Sequence, residues 1–160
     1  MQIKLPFDGT KPVTGEASIE IDKPVNDVFT FIGEGFFENY PKWAVEVIEF
    51  EPLTGDKVFT GAKAKQVREE AGERVESIFE ITEYEPLIKL ILQGVASPYK
   101  HLYLLQSSET QAALTQLTFR FELLELEIFM RPFEKLIRLA IEEGAENTVA
   151  NIKNLIAVQN

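Results

Sequence analysis

The sequence predicts an α+β fold, in which an antiparallel sheet of about seven strands is closed on one face by a long C-terminal helix. Three observations carry that reading. Successive segments from Val45 onward alternate apolar and polar residues with period two, and only short turn-forming stretches separate them. Short gaps require antiparallel pairing, because a parallel pair needs a long crossover. Beyond Pro132 the pattern changes to apolar residues at intervals of three and four, the signature of one amphipathic helix.

The elements follow in order. Glu16, Ser18, Glu20 and Asp22 point one way while Ala17, Ile19 and Ile21 point the other, which makes Glu16–Asp22 a half-buried strand. Pro24 suits a first helical turn, where its missing N–H costs no hydrogen bond. Val25–Ile32 is therefore expected to be a short helix with Val28, Phe29 and Ile32 on one face, ended by Gly33 and Gly35. Phe36–Tyr40 is expected as a second short helix stopped by Pro41, whose ring disfavours helical backbone at the preceding residue. Strands are expected at Val45–Pro52, Thr60–Glu69, Arg74–Tyr84, Leu87–Ala96, Tyr99–Ser107 and Ala113–Leu124. In the last of these Leu117, Phe119, Phe121 and Leu123 face inward, as do Val75, Ser77, Phe79 and Ile81 in the strand from Arg74. The long helix opens at Pro132 and draws one stripe through Phe133, Leu136, Ile137, Ala140, Ile141, Ala145, Val149, Ile152, Leu155 and Ile156. At about 25 residues it spans about 37 Å, against about 27 Å for an eight-residue strand, so it can lie diagonally across the whole sheet.

Composition bounds the function. The chain has 160 residues, 45% of them hydrophobic, with twelve Phe. That is material for one domain, residues 1–160, of which 1–13 form a short N-terminal extension. Sixteen basic against 26 acidic side chains leave a net charge of −10. Such a chain repels nucleic acid and anionic lipid, so neither partner is expected. The absence of cysteine excludes disulfides, thiolate metal sites and cysteine nucleophiles. The opening residues lack the apolar core of an export leader, and no window of about 18 apolar residues occurs, so a cytoplasmic protein without stable membrane insertion is expected.

Five short motifs in fixed order resemble the START-like or SRPBCC superfamily and its polyketide cyclase/dehydrase-like branch. They are Ile19–Phe29 across the strand-to-helix junction, Tyr40-Pro41-Lys42-Trp43, Phe59-Thr60-Gly61, Ile81–Pro86 at a strand end, and Asn151–Leu155 near the close. The resemblance spans about Gly15 to Val158. It implies the helix-grip fold, a curved sheet in β-α-α-β6-α order wrapped around the C-terminal helix, with a mostly apolar cavity between them for a small hydrophobic ligand. Superfamily members bind lipids, sterols, quinones or plant metabolites, carry polyketides during cyclisation, or assist a chaperone. Fold alone narrows function only to that range.

Candidate site residues follow from side-chain direction. His101 is the single histidine, so a multi-histidine metal site is excluded and no metal or other cofactor is expected. In one register Tyr99, His101 and Tyr103 share the inner face; in the other, Leu102 and Leu104 do. An inward His101 is either a hydrogen-bonded part of the wall or the one group able to exchange protons near neutral pH. Lys63 and Lys65 facing water would turn Ala62, Ala64, Gln66 and Arg68 inward. Arg68 is then a candidate to recognise a ligand carboxylate or polarised carbonyl, or else an edge-strand arginine in solvent. Trp43, Tyr40, Phe36 and Phe37 form either a lid or ordinary core. Gly144 sits mid-helix at a cost of about 1 kcal/mol, which either reflects a close approach of the helix to a ligand or another element or is simply tolerated. The apolar lining is expected from Phe79, Ile81, Phe119, Phe121, Ile137, Ile141 and Ala145, with Trp43 beside them.

No dinucleotide fingerprint, Walker loop or nucleophile elbow occurs. The leading expectation is a binding or transport protein for a small hydrophobic or amphipathic molecule. One alternative is a polyketide cyclase/dehydratase-like enzyme with His101, Tyr99 and Arg68 as acid, donor and anchor. A second is a chaperone-assisting module that works through its outer sheet face.

Overall fold

A computed structural model describes residues 12–159. Seven strands form one antiparallel sheet in the order β1-β7-β6-β5-β4-β3-β2. They are β1 (Val13–Ile21), β2 (Val47–Pro52), β3 (Lys63–Glu70), β4 (Glu73–Glu85), β5 (Lys89–Gly94), β6 (Tyr99–Ser107) and β7 (Thr115–Leu123). Helices α1 (Val25–Phe29) and α2 (Phe36–Trp43) lie between β1 and β2, and α3 (Glu134–Ala157) follows β7 after a 3-10 segment, Ile128–Phe133. This is the expected α+β helix-grip arrangement. Among the described residues no helix is long and apolar enough to cross a membrane.

Several boundaries differ from expectation for identifiable reasons. Most of the expected N-terminal extension lies outside the described residues, but Val13 already belongs to β1, where it is fully buried and pairs with Leu123. Pro41 does not stop α2. The helix runs on to Trp43, and the Ala44 N–H donates to the Tyr40 carbonyl at 2.9 Å. An interior proline costs about 3 kcal/mol, but continuing the turn buries both Tyr40 and Trp43, each contributing about 2–3 kcal/mol of apolar burial. The glycines do not break the preceding helix either: α1 passes into a single wide turn, Thr30–Glu34, and the buried Asn39 side-chain amide donates to the Phe31 carbonyl at 2.9 Å. Val75, expected inward, is 41% exposed; it pairs with Arg68 near the end of the β3–β4 ladder. Pro132 lies within the 3-10 segment, just before α3 begins.

The apolar stripe of α3 is not buried evenly. Ala145, Val149, Ile152 and Ile156 are sealed, whereas Leu136 and Ala140 are exposed and Ile137 and Ile141 only half-buried. The helix is pinned near its middle. A Cβ on Gly15 of β1 would stand 2.5 Å from Ile141 Cγ2 and 2.8 Å from the Glu142 backbone nitrogen. Only a residue without a side chain lets helix and strand approach this closely.

Strands β3 and β4 are joined by Ala71-Gly72, with φ of 52° and 83° respectively. Positive φ at both central residues matches the right-handed twist of the flanking strands, but alanine there carries a Cβ penalty of about 1 kcal/mol. Ala71→Asn is expected to stabilise the protein by roughly 0.5–1 kcal/mol in urea unfolding. Gly15→Ala should destabilise it by about 1–3 kcal/mol, because the new methyl group meets helix backbone that cannot step aside; an unchanged midpoint would contradict the pinning of α3 at this contact.

Candidate binding cavity

Strand alternation brings the site together. On β6 the burial pattern selects the register in which Tyr99, His101 and Tyr103 face the helix, while Leu102 and Leu104 turn to the other side. Across the ladder His101 pairs with Phe121 on β7 and Leu92 on β5, and Tyr103 pairs with Phe119. On β3 the same alternation turns Ala64 and Gln66 inward. Because α3 packs chiefly along β1, it does not close down over the inner faces of β6 and β3. A cavity of about 430 Å³ remains between the sheet, the end of α2 and the first half of α3.

Its walls are mainly aromatic and aliphatic. Trp43 and Tyr40 come from α2, Phe119 and Phe121 from β7, and Ile137, Ile141 and Ala145 from α3. His101 and Tyr103 contribute from β6, with Arg68 and Glu70 from β3. Phe79 and Ile81 are placed differently from expectation. They face the same side of the sheet but are fully buried, and Phe79 packs against Phe36, Tyr40 and Phe50, so they belong to solid core under α2. Tyr99 stands behind the wall, its ring stacked on Phe121 at 6.4 Å. Phe36 and Phe37 are likewise core, while Trp43 and Tyr40 are both core and wall.

A polar network backs this wall. The Tyr40 hydroxyl donates to Gln66 Oε1 at 2.7 Å, and Gln66 Nε2 donates to the Tyr99 hydroxyl at 3.2 Å. The Tyr99 and Ser77 hydroxyls are 3.0 Å apart, and Trp43 Nε1 donates to the Tyr103 hydroxyl at 3.3 Å. Burial raises the pKa of all three phenols, so they stay protonated as hydrogen-bonding groups. Sequence reasoning turned Gln66 inward without assigning it a role. A buried amide needs partners, and the tyrosines at facing inward positions were the signal for them.

His101 is the exception to this satisfaction. It is only 7% exposed and ringed by Tyr99, Phe119 and Phe121 at centroid distances of 5.2–5.5 Å, yet neither ring nitrogen has a hydrogen-bond partner. Desolvation, with the Arg68 charge as a second cause, lowers its pKa to about 3, so the imidazole is neutral at physiological pH. Arg68 turns toward the cavity and finds carboxylates within the protein itself: its Nη2 lies 3.2 Å from Glu46 and 3.2 Å from Glu70. Its Nε is buried without a partner. Gly144 lines the cavity, and a Cβ there would meet nothing within 4 Å, so no neighbouring element requires the glycine. Among the described residues no group of three or more His, Asp or Glu side chains could hold a metal ion.

A curved seven-stranded antiparallel sheet, with a long helix over an apolar cavity, defines the helix-grip class. The chain belongs to the family described as polyketide cyclase / dehydrase and lipid transport, whose sequence model matches residues 12–157. No curated protein matches it significantly in sequence. Its fold is similar to that of the Zhui aromatase/cyclase from Streptomyces sp. R1128, with a TM-score of 0.73 at 10% identity over 91% of this chain and 94% of that one. It is also similar to TTHA0849 from Thermus thermophilus, with a TM-score of 0.72 at 15% identity over 90% and 97% of the two chains. A START superfamily protein from Mycobacterium smegmatis gives a TM-score of 0.70 at 10% identity, covering 90% of this chain and 97% of that one.

The buried imidazole makes stability depend on pH. The unfolded chain protonates His101 below about pH 6.5, whereas the folded protein holds it neutral down to about 3. Between those values the unfolded state binds more protons. The contribution is therefore complete above pH 6.5 and is lost on acidification at up to about 1.4 kcal/mol per pH unit. His101→Leu should remove this component, so that from pH 6.5 to 4.5 the wild type loses roughly 2–3 kcal/mol more than the variant in urea unfolding. Carboxylate titrations are common to both proteins and cancel; parallel stability curves would place the imidazole in contact with solvent.

Proposed function

We propose that this chain is a single-domain binding or transport protein for a small, largely apolar molecule held between the sheet and α3. One observation carries the reading: a buried imidazole with both nitrogens unpaired forms part of the aromatic wall of a cavity of about 430 Å³. Such a group is costly to bury unless something completes its hydrogen bonds. The nitrogens are screened from the cavity by the rings around them, so a ligand hydroxyl or carbonyl would complete them once the imidazole turns, and those rings would cover its apolar body. A volume of this size and a few placed polar groups are what small-molecule sites need.

The cyclase reading draws on the family description and on the folding of a flexible chain against a shaped wall, where positioning supplies most of the rate. A pKa near 3 works against His101 as its general acid, since almost no imidazolium exists at neutral pH. As a neutral donor and acceptor the same residue serves binding directly. Arg68, already bracketed by Glu46 and Glu70, is likewise better suited to shaping the cavity mouth than to anchoring an acidic chain.

Gly144→Phe provides the test. The ring projects into open space at the cavity, and phenylalanine is a better helix former than glycine, so the fold should be retained. Binding of the uncharged fluorophore N-phenyl-1-naphthylamine is expected to weaken at least tenfold, with the thermal midpoint unchanged or raised. Equal binding by variant and wild type would place the probe elsewhere and remove the cavity as the site.

A further inference from the structure

Only three charged side chains line the cavity among the described residues: Glu46, Arg68 and Glu70. Their geometry is specific. One guanidinium nitrogen of Arg68 serves both carboxylates at 3.2 Å each, so two negative charges face one positive charge at the opening. The carboxylates are 41% and 46% exposed, which places them at the rim, whereas Arg68 is only 23% exposed and lies deeper. Further in, all charge ends. His101 is neutral with unpaired nitrogens, and the remaining lining residues are uncharged. The rim charge is felt inside: Glu46 raises the pKa of the Tyr103 and Tyr40 phenols, and Arg68 opposes it at Tyr40.

We infer that the cavity selects a molecule with an uncharged aromatic or polycyclic body that hydrogen-bonds His101, bearing an amine or an uncharged polar group at its outer end, and discriminates against carboxylates. This rests on the binding reading above and deepens it. A carboxylate entering between Glu46 and Glu70 would have to compete for a guanidinium that both already hold, and would add a third negative charge to the rim. An ammonium group there relieves the excess instead. A neutral hydroxyl there neither gains nor loses from the charge.

An isosteric series isolates the effect. The full chain is titrated calorimetrically at low salt with 2-(1-naphthyl)ethylamine, 2-(1-naphthyl)ethanol and 1-naphthylacetate, which share one aromatic body and differ in the head group. The amine is expected to bind tightest and the carboxylate weakest, with roughly a tenfold or larger gap between them that narrows in 1 M salt. In the double variant Glu46→Gln, Glu70→Gln the guanidinium is no longer neutralised, and the order should reverse in favour of the carboxylate. Arg68→Gln is an independent arm, expected to tighten the amine severalfold. A wild-type protein that binds the carboxylate as well as or better than the alcohol overturns the charge rule while leaving the cavity a binding site. If none of the three compounds binds, both the rule and the binding reading fall.

Discussion

The place where α3 meets β1 governs the rest of the structure. At Gly15 the strand presents bare backbone, and the Ile141–Glu142 stretch of the helix lies directly on it. That contact fixes how near the helix can come to the sheet at one point. Beyond it, Ala145, Val149, Ile152 and Ile156 sink into the core, and the Asn151 side chain donates to the Trp43 carbonyl at 3.1 Å, tying the helix to the end of α2. On either side of it, residues from Ile137 to Ala145 face β6 and β7 across the space that forms the cavity. One missing side chain thus sets how close the helix comes to β1 beside the cavity.

The same side-chain types behave differently in two regions of the molecule. Where α2 meets the sheet, Phe36, Tyr40, Phe50 and Phe79 interlock with ring centroids 5.0–6.2 Å apart. Across β6 and β7, Phe119 and Phe121 have comparable ring contacts within the sheet and line the cavity, as does Tyr103, whose ring also packs against Phe36 and Trp43 of α2. A solid region of interlocked rings resists deformation, and it holds the neighbouring open region in shape without needing that region to fill itself. The polar residues follow the same division: Gln66 and its tyrosines satisfy one another where the packing is tight, whereas His101, facing the open side, has no partner.

The acidic excess of the chain has a double meaning in this structure. On the outer face some of it is paired, as where Arg120 meets Glu16 across the β1–β7 ladder and Glu122 along β7, contacts near the surface that contribute little individually. At the cavity mouth the same excess is concentrated on two glutamates around one arginine, where a half-buried setting makes one unit of charge able to discriminate between ligands. Bulk composition could not separate these roles, since nothing in a count of glutamates says which of them meet at one opening.

Periodicity in the sequence was sufficient for the sheet, the order of its elements and the long helix, because each depends on local alternation and short turns. It also identified which positions of β7 and β3 face inward, since a period of two admits only two answers once one face must be buried. Boundaries near Pro41 and Pro132 were less legible, because burial of Tyr40 and Trp43 outweighs a local backbone penalty that the sequence shows without its compensation. The choice between Tyr99/His101/Tyr103 and Leu102/Leu104 required the tertiary structure, as both faces of β6 carry enough apolar area to be buried. The division of inward aromatics into core, as for Phe79 and Ile81, and wall, as for Phe119 and Phe121, was decided in the same way. So was the capture of Arg68 by two carboxylates, Glu46 and Glu70, of which Glu46 lies far from it in sequence. The cavity itself depends on how far α3 stands from the sheet, a distance set between residues more than a hundred positions apart and therefore invisible to any local pattern.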